Sequence, residues 1–365
     1  MTNIALVGEA WGENEARIKR PFVGASGIEL LRMLHDAKII VLTEEDRHVL
    51  KTFWQEGNPW AVNKIWERYD VYRTNVFNLR PKGNKIEDVC GGKRTAIGGY
   101  PALVKAKHVR AEFEPELDRL GEEIARIDPN HIIALGNTAM WALCGKTAIS
   151  KLRGTTQLST HTISGFKVLP TYHPASIFQG PEAWANRPII VIDLMKAKRE
   201  SAYPEIRRPK RTIFIPETME DLNALDLGRH SRLAVDIETS GKQITCIGFA
   251  PGRGSAVVIP FTDRRRVGGS YWTDSVCELH AWDIVKGICE DARIKKTFQN
   301  GLYDIAFLWR SARIKVLGAE EDTMLLHHAL QPESLKGLGF LGSIYTDEGN
   351  WKQMRTKHET IKRDD

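Results

Sequence analysis

Apolar residues follow two alternating rhythms along this chain. Ile4-Ala-Leu-Val7 is a short continuous apolar run that ends in a glycine-bearing turn, the mark of a buried strand. Gly27-Ile-Glu-Leu-Leu-Arg-Met-Leu34 instead repeats its apolar positions at helical spacing. Val71 to Val76, His131 to Leu135 and Val168 to Tyr172 read as further strands, and Asn137 to Cys144 and Pro188 to Lys198 as helices. Strands alternating with helices predict a three-layer α/β/α domain around a parallel four-stranded sheet. Ligands of such sheets bind beyond the carboxyl ends of the strands. The polar residues that follow the strands here are Glu9, Asn75, Gly136 and His173, so they are expected to cluster.

The pattern changes near residue 204. Pro204 and Pro209 flank a basic run, which neither helix nor core tolerates, and a linker is expected over 204–211. Beyond it, Arg232 to Glu238 is a strand, and Gln243 to Ala250 with Ser255 to Pro260 complete an antiparallel meander. Ala281 to Glu290 is an amphipathic helix, and Lys295 to Asn300 is a strand running into the helix Leu302 to Arg310. The expected division is a domain over 1–203, a second α/β domain over 212–350, and a frayed segment over 351–365. Pro81 to Tyr100 has no periodicity and reads as a long loop.

Composition narrows the classes. The 365 residues are 42% hydrophobic and 27% charged, ordinary for a globular protein. No run approaches the roughly 20 apolar residues of a membrane span, and acids interrupt the N-terminus before a signal-peptide core could form. A cytoplasmic protein with no membrane partner is expected. The five cysteines, Cys90, Cys144, Cys246, Cys277 and Cys289, are odd in number and lack Cys-x-x-Cys spacing. That suits buried thiols in a reducing compartment and argues against a metal cluster. The net charge is +6, and residues 1–203 carry most of it, with 28 Lys and Arg against 23 Asp and Glu. This is a mild lean toward polyanions.

Four landmarks then appear in order: Gly8-Glu-Ala-Trp-Gly12, Arg20-Pro-Phe-Val-Gly-Ala-Ser-Gly27, Thr74-Asn75 followed by Arg80-Pro81, and Thr171-Tyr-His-Pro-Ala-Ser176. With Ile133-Ala-Leu-Gly136 they resemble the uracil-DNA glycosylase superfamily over about residues 3–200. The resemblance is closest to the branch with Gly-Glu-Ala-Pro-Gly and Pro-Phe-Val-Gly-x-Ser/Ala-Gly motifs. It implies a flipped-out base held in a pocket. Phe22 matches the stacking residue and Asn75 the reader of the base edge. His173 matches the donor to charge developing on the base, and Glu9 the carboxylate that orients water. Gly8, Gly12, Gly24, Ser26, Gly27 and Ser176 fall where the family contacts the DNA backbone. Trp11 stands where the family has proline, which alters the loop carrying Glu9. The cysteines that bind an iron–sulfur cluster in part of this branch are missing, so no cluster is expected.

A second ordered set follows. Val235-Asp-Ile-Glu-Thr239 places Asp236 and Glu238 on one face of a strand. Then come Phe298-Gln-Asn-Gly-Leu-Tyr-Asp304 and Asp322-Thr-Met324. This order resembles the 3′–5′ exonuclease domain of family A DNA polymerases and the wider DEDD nucleases, over about 212–345, and implies a partial RNase H-like domain. Asp236, Glu238 and Asp304 match ligands of Mg²⁺ (or Mn²⁺) in that family. Asp322 reads as a helix N-cap. The third motif, Tyr-x-x-x-Asp or its His form, is not found. Tyr345 with Asp347 has the wrong spacing, and so do His358 and Asp364. A weak or inactive exonuclease is expected. Arg264, Arg265 and Arg266 are equally a DNA backbone contact or a solvated loop.

The fusion order resembles the N-terminal part of certain bacteriophage DNA polymerases. It implies DNA as partner, in a bacterial or phage-infected cell, with the polymerase on a separate polypeptide or on further C-terminal domains. Two readings stay open: a DNA-processing hydrolase, and a DNA-binding or assembly module whose sites have degraded.

Overall fold

The structure, a computed structural model, describes residues 3–348. It divides into two units, Met1–Arg207 with Gly339–Asp365, and Arg208–Leu338. The segment expected to fray, with His358 and Asp364, lies outside the described residues.

The first unit runs β1 (Ile4–Ala10), α1 (Glu13–Ile18), α2 (Ala25–Asp36), α3 (Glu44–Glu56), α4 (Pro59–Trp66), β2 (Tyr72–Phe77), α5 (Glu114–Ile127), β3 (His131–Leu135), α6 (Asn137–Cys144), β4 (Gln157–Thr160), β5 (Ser164–Thr171) and α7 (Asn186–Glu200). Its sheet has the order β2-β1-β3-β5-β4. The four expected strands are parallel, but a fifth strand, β4, joins the edge antiparallel to β5 with Gln157 opposite Val168. The expected four-stranded sheet is corrected accordingly. Gln-Leu-Ser-Thr160 has no apolar run, and Leu158 is exposed, so an edge strand facing water left no trace in the pattern.

Strands β1 and β3 are apolar on both faces because both are covered. Leu6 packs with Leu30, Leu34, Ile65 and Ile190 from α2, α4 and α7, while its neighbour Val7 packs with Leu120, Ile124, Met140 and Trp141 from α5 and α6. That alternation is the strand period of two. Between β2 and α5, Lys82 to Phe113 form short 3₁₀ turns and an antiparallel pairing of Cys90–Gly91 with His108–Val109 rather than a featureless loop.

The second unit runs β6 (Thr212–Phe214), β7 (Arg232–Ser240), β8 (Gln243–Gly252), β9 (Ser255–Pro260), α8 (Ser275–Glu290), β10 (Lys295–Phe298), α9 (Leu302–Ala312), β11 (Ala319–Asp322) and α10 (Thr323–Leu330). The sheet order is β11-β10-β7-β8-β9-β6. β7, β8 and β9 form an antiparallel meander, and β10 and β11 add in parallel beside β7. Leu233, Val235 and Ile237 face a core shared with Val285, Ile288 and Leu308 of α8 and α9, so Asp236 and Glu238 lie on the opposite, exposed face of β7.

A final helix, α11 (Leu338–Tyr345), starts at the last residue of the second unit, and from Gly339 the chain belongs to the first. The expected second domain over 212–350 therefore ends at Leu338. Tyr345 and Asp347, weighed above as remnants of the third motif, are part of the first unit, where Asp347 pairs with Arg199 at 2.7 Å. The expected linker is also partly held. The buried Lys167 ammonium donates to the carbonyls of Glu200 and Tyr203 at 2.6 Å and of Glu205 at 3.0 Å. All five cysteines are free thiols. No helix among the described residues is long and apolar enough to cross a membrane.

Candidate active site

The carboxyl ends of β1, β2 and β5 meet over a cavity of about 220 Å³, below the roughly 300–1,000 Å³ that drug-sized ligands occupy. Glu9, Gly12, Phe22, Ser26, Asn75 and His173 line it, together with Trp11, Glu15, Pro81 and Asn84. Of the four residues expected to cluster, Glu9, Asn75 and His173 converge here, and Gly136 is not part of the lining.

Phe22 is an aromatic residue in the left-handed region, with φ 54°. That conformation costs roughly 1–2 kcal/mol for a residue with a Cβ. Two contacts hold it: the Trp66 indole N–H donates to the Phe22 carbonyl at 2.8 Å, and Arg73 donates to the Pro21 carbonyl at 2.6 Å. The ring lies roughly parallel to the His173 imidazole, with centroids 6.3 Å apart. Gly27 is explained by this turn. A Cβ there would lie 1.9 Å from the Phe22 carbonyl oxygen.

Asn75 is buried on β2 directly beside Gly8 of β1. A Cβ at Gly8 would lie 2.3 Å from Asn75 Oδ1 and 2.5 Å from Phe22 Cζ, so this glycine makes room for the pair. Arg119 donates to the Asn75 and Val76 carbonyls at 2.8 and 3.0 Å and fixes the strand end.

His173 opens a 3₁₀ turn, and its Nδ1 accepts the Ala175 N–H at 3.1 Å. Nδ1 is therefore unprotonated, and in the neutral ring the proton sits on Nε2. Desolvation holds the imidazole pKa down to about 4, with Glu15 pulling weakly the other way. His173 is thus a neutral donor across the physiological range.

Burial pushes the Glu9 carboxyl above its usual value, the Thr138 hydroxyl opposes that by donating at 2.5 Å, and the charge of Glu87 adds to the rise. Thr138 is the second residue of α6, whose N-cap is Gly136. Sequence reasoning passed over it, although a hydroxyl at a strand-to-helix turn is a detectable signal. Glu15 was also passed over. Its Oε1 accepts the Val23 and Gly24 N–H groups at 3.0 and 2.8 Å. The Gly24 amide, expected above at the DNA backbone, therefore already has an acceptor. A Cβ at Gly12 would lie 2.7 Å from Glu15 Oε2. Ser176 lies just beyond His173, and its hydroxyl is buried without a hydrogen-bond partner.

In the second unit, Asp304 of α9 is buried and accepts the Ile237 N–H at 3.1 Å, which places it between Asp236 and Glu238 of β7. Burial pushes the Asp304 pKa up to about 6 against that hydrogen bond, and the negative charge of Asp236 adds to the rise. Burial and then Glu238 raise Asp236 in turn. These hard oxygen donors suit a divalent cation chemically. Among the described residues, however, no three His, Cys, Asp or Glu side chains are arranged to hold a metal ion. The expected set of Asp236, Glu238 and Asp304 is therefore not assembled as a metal site here. Asp322 caps α10, accepting from Met324 at 2.8 Å, and also accepts from Gly301 at 2.7 Å. Arg265 is paired with Asp263 at 2.9 Å, and Arg266 reaches the Tyr271 carbonyl.

The profile of the uracil DNA glycosylase superfamily matches residues 1–194. The type-4 uracil-DNA glycosylase of Thermotoga maritima is 28% identical over 199 residues, covering 54% of this chain and 77% of that one. The DNA polymerase of Bacillus phage SP01 is 24% identical over 259 residues, covering 64% of this chain and 27% of that one. Among solved structures, Brucella melitensis NrnC with bound Mg²⁺ aligns with a TM-score of 0.27 at 19% identity, over 39% of this chain and 64% of that one. Escherichia coli RNase D aligns with a TM-score of 0.29 at 20% identity, over 40% of this chain and 36% of that one. The chain thus spans about a quarter of the phage polymerase and less than two thirds of these solved chains.

Proposed function

The chain belongs to the uracil DNA glycosylase superfamily, and on that premise we propose that its first unit binds DNA and excises uracil. The observation that carries this reading is the convergence of Phe22, Asn75, His173 and Glu9 on one small cavity. A base taken out of the stack would lie against the Phe22 ring. The Asn75 amide offers both an acceptor and a donor to the uracil edge. As the glycosidic bond breaks, negative charge gathers on the base, and the His173 Nε2–H meets it without adding a proton. Glu9, held by Thr138, orients the water that attacks the sugar. Of the residues expected at the DNA backbone, Gly12 and Ser26 line the cavity and would meet it, whereas Gly8, Gly24 and Gly27 are buried behind it and Ser176 lies outside the lining.

A strand-cleavage assay on uracil-containing single- and double-stranded DNA tests this. Wild type is expected to leave alkali-labile sites, and Glu9→Ala to lose them. Equal, uncut binding by both would favour a DNA-binding module.

For the second unit the reading is a DEDD-type exonuclease-like domain, supported by Asp304 standing between Asp236 and Glu238. Asp236, Glu238 and Asp304 are the oxygen donors that would have to close on Mg²⁺ or Mn²⁺, since they do not form a metal site as arranged here; the bound ion would supply Lewis-acid activation of water and phosphodiester. Because the three donors are not gathered into a metal site in this structure, weak exonuclease activity is expected. Calorimetric titration with Mn²⁺ checks the site. Weak binding abolished by Asp236→Ala is expected, whereas identical heats from both proteins refute it. The likeness to the phage polymerase supports a setting in phage-type replication or repair, in the cytoplasm of a bacterium or infected host. The polymerase itself would be on another polypeptide or on further domains.

A further inference from the structure

We infer that residues 339–346, where the chain returns from the second unit, brace the base pocket, and that Arg153, Asp193 and Thr171 are positioning residues linking this brace to His173. The inference rests on reading the cavity as the excision site.

Helix α11 docks through charge as well as apolar surface. Ser343 Oγ accepts from Arg153 Nη1 at 2.9 Å, and Leu341 and Ile344 are buried. The Arg153 guanidinium lies 5.5 Å from the Phe340 ring centroid. Lys196 of α7 donates to the carbonyls of Ser343 and, at 2.6 Å, Thr346, so a cation satisfies the C-terminal end of the helix. Gly154 is in the left-handed region, with φ 70°, and a Cβ there would lie 2.8 Å from Asp193 Oδ1 and 3.2 Å from the Ser343 carbonyl. The seam between helix and domain therefore closes on a glycine.

From Ser343 the contacts run inward without a gap. Arg153 is 1% exposed and Asp193 0%. They form a forked pair in which Nε donates to Oδ2 at 2.8 Å and Nη2 to Oδ1. The Thr171 hydroxyl donates to the same Oδ2 at 2.7 Å. Thr171 ends β5 two residues before His173, and its carbonyl accepts the Gly136 N–H at 2.8 Å. A Cβ on Gly136 would come within 3.1 Å of His173 Cβ. Side chain and backbone of Thr171 are thus both fixed, one toward the brace and one toward the imidazole. A buried ion pair tolerates few alternative arrangements, because each leaves a charge unpaired. Removing the Ser343 acceptor frees one Arg153 donor and lets Asp193, and Thr171 with it, adopt a second position.

The test uses the full chain with ¹⁵N-labelled histidine. In Ser343→Ala, and independently in Thr171→Val, the His173 ring resonances are expected to shift or broaden while cooperative unfolding is kept. Single-turnover uracil excision is expected to fall about tenfold with unchanged DNA affinity. Arg199→Ala, which breaks only the exposed pair with Asp347, is expected to move neither readout. Unmoved His173 resonances in a folded Ser343→Ala or Thr171→Val protein overturn the inference, and so does an equal change in Arg199→Ala. If Ser343→Ala does not fold, Thr171→Val decides alone. If wild type excises no uracil, the excision reading fails, and the histidine resonances still decide whether the brace reaches His173.

Discussion

Two glycines of the first motifs should fail in different ways when given a methyl group. At Gly27 the new Cβ would lie 1.9 Å from the Phe22 carbonyl oxygen, 2.2 Å from its carbon and 2.8 Å from its Cα. All three atoms are backbone, so the turn itself must move by more than an ångström. Moving it strains a backbone already held at positive φ and breaks the 2.8 Å bond from Trp66. Overpacking costs about 1–3 kcal/mol and the lost hydrogen bond about 1 kcal/mol, so Gly27→Ala should destabilise the first unit by about 2–4 kcal/mol. At Gly8 the obstructing atoms are the ends of the Asn75 and Phe22 side chains, 2.3 and 2.5 Å away. Those can rotate aside, so Gly8→Ala should cost about 1 kcal/mol of stability yet disorder the base-binding pair. Urea unfolding and uracil excision, measured on both variants, separate the two. The reasoning is refuted if Gly27→Ala unfolds with wild type, or if Gly8→Ala excises uracil at the wild-type rate.

Other outcomes follow from the same geometry. Thr138→Val removes the donor to Glu9 and should raise the Glu9 pKa further, moving the acid limb of the excision rate to higher pH; an unmoved limb contradicts this. His131, buried with its Nδ1 bonded to the Ala197 carbonyl, and His173 are both held to about 4, below the free value of 6.5. The unfolded chain takes up protons between pH 6.5 and 4 that the fold refuses, so stability falls as pH drops through that window. His131→Leu should flatten the slope in urea unfolding. Asp304 acts in the opposite sense. Its pKa is raised to about 6 from 3.8, so its stabilising share is complete below pH 3.8 and lost as pH rises through 6. Asp304→Asn should therefore stabilise the second unit by about 2 kcal/mol at pH 7.5, a gain that vanishes near pH 4.

Much of this was readable from residue order. Apolar runs interrupted by polar residues placed Glu9, Asn75 and His173 toward the carboxyl ends of parallel strands, a topology that brings them together. The alternation in Leu-Ala-Val-Asp-Ile-Glu238 separated a core face from an acidic one. What was not readable depends on contacts distant in sequence. β4 is too short and polar for a periodic signal. Gly27 looked like a phosphate-binding glycine, but its nearest constraint is the left-handed turn at Phe22, whose support comes from Trp66. Glu15 gives no signal in its own stretch of sequence, and only the fold brings it to the Val23 and Gly24 amides. The return of residues 339–348 to the first unit hides behind an unremarkable Leu-Gly-Phe-Leu-Gly-Ser-Ile-Tyr345 pattern, because its partners Arg153 and Lys196 lie more than 140 residues away.

The cavity lined by Glu9, Phe22, Asn75 and His173 is proposed to hold and release uracil. The most direct measurement is mass-spectrometric detection of free base after single-turnover incubation of the full chain with a uracil-containing oligonucleotide. Wild type should release uracil, thymine should be retained in the matched strand, and Asn75→Ala and His173→Ala should each reduce release by at least about a hundredfold. Release of no uracil by wild type that demonstrably binds the oligonucleotide, or undiminished release by both variants, would contradict the account.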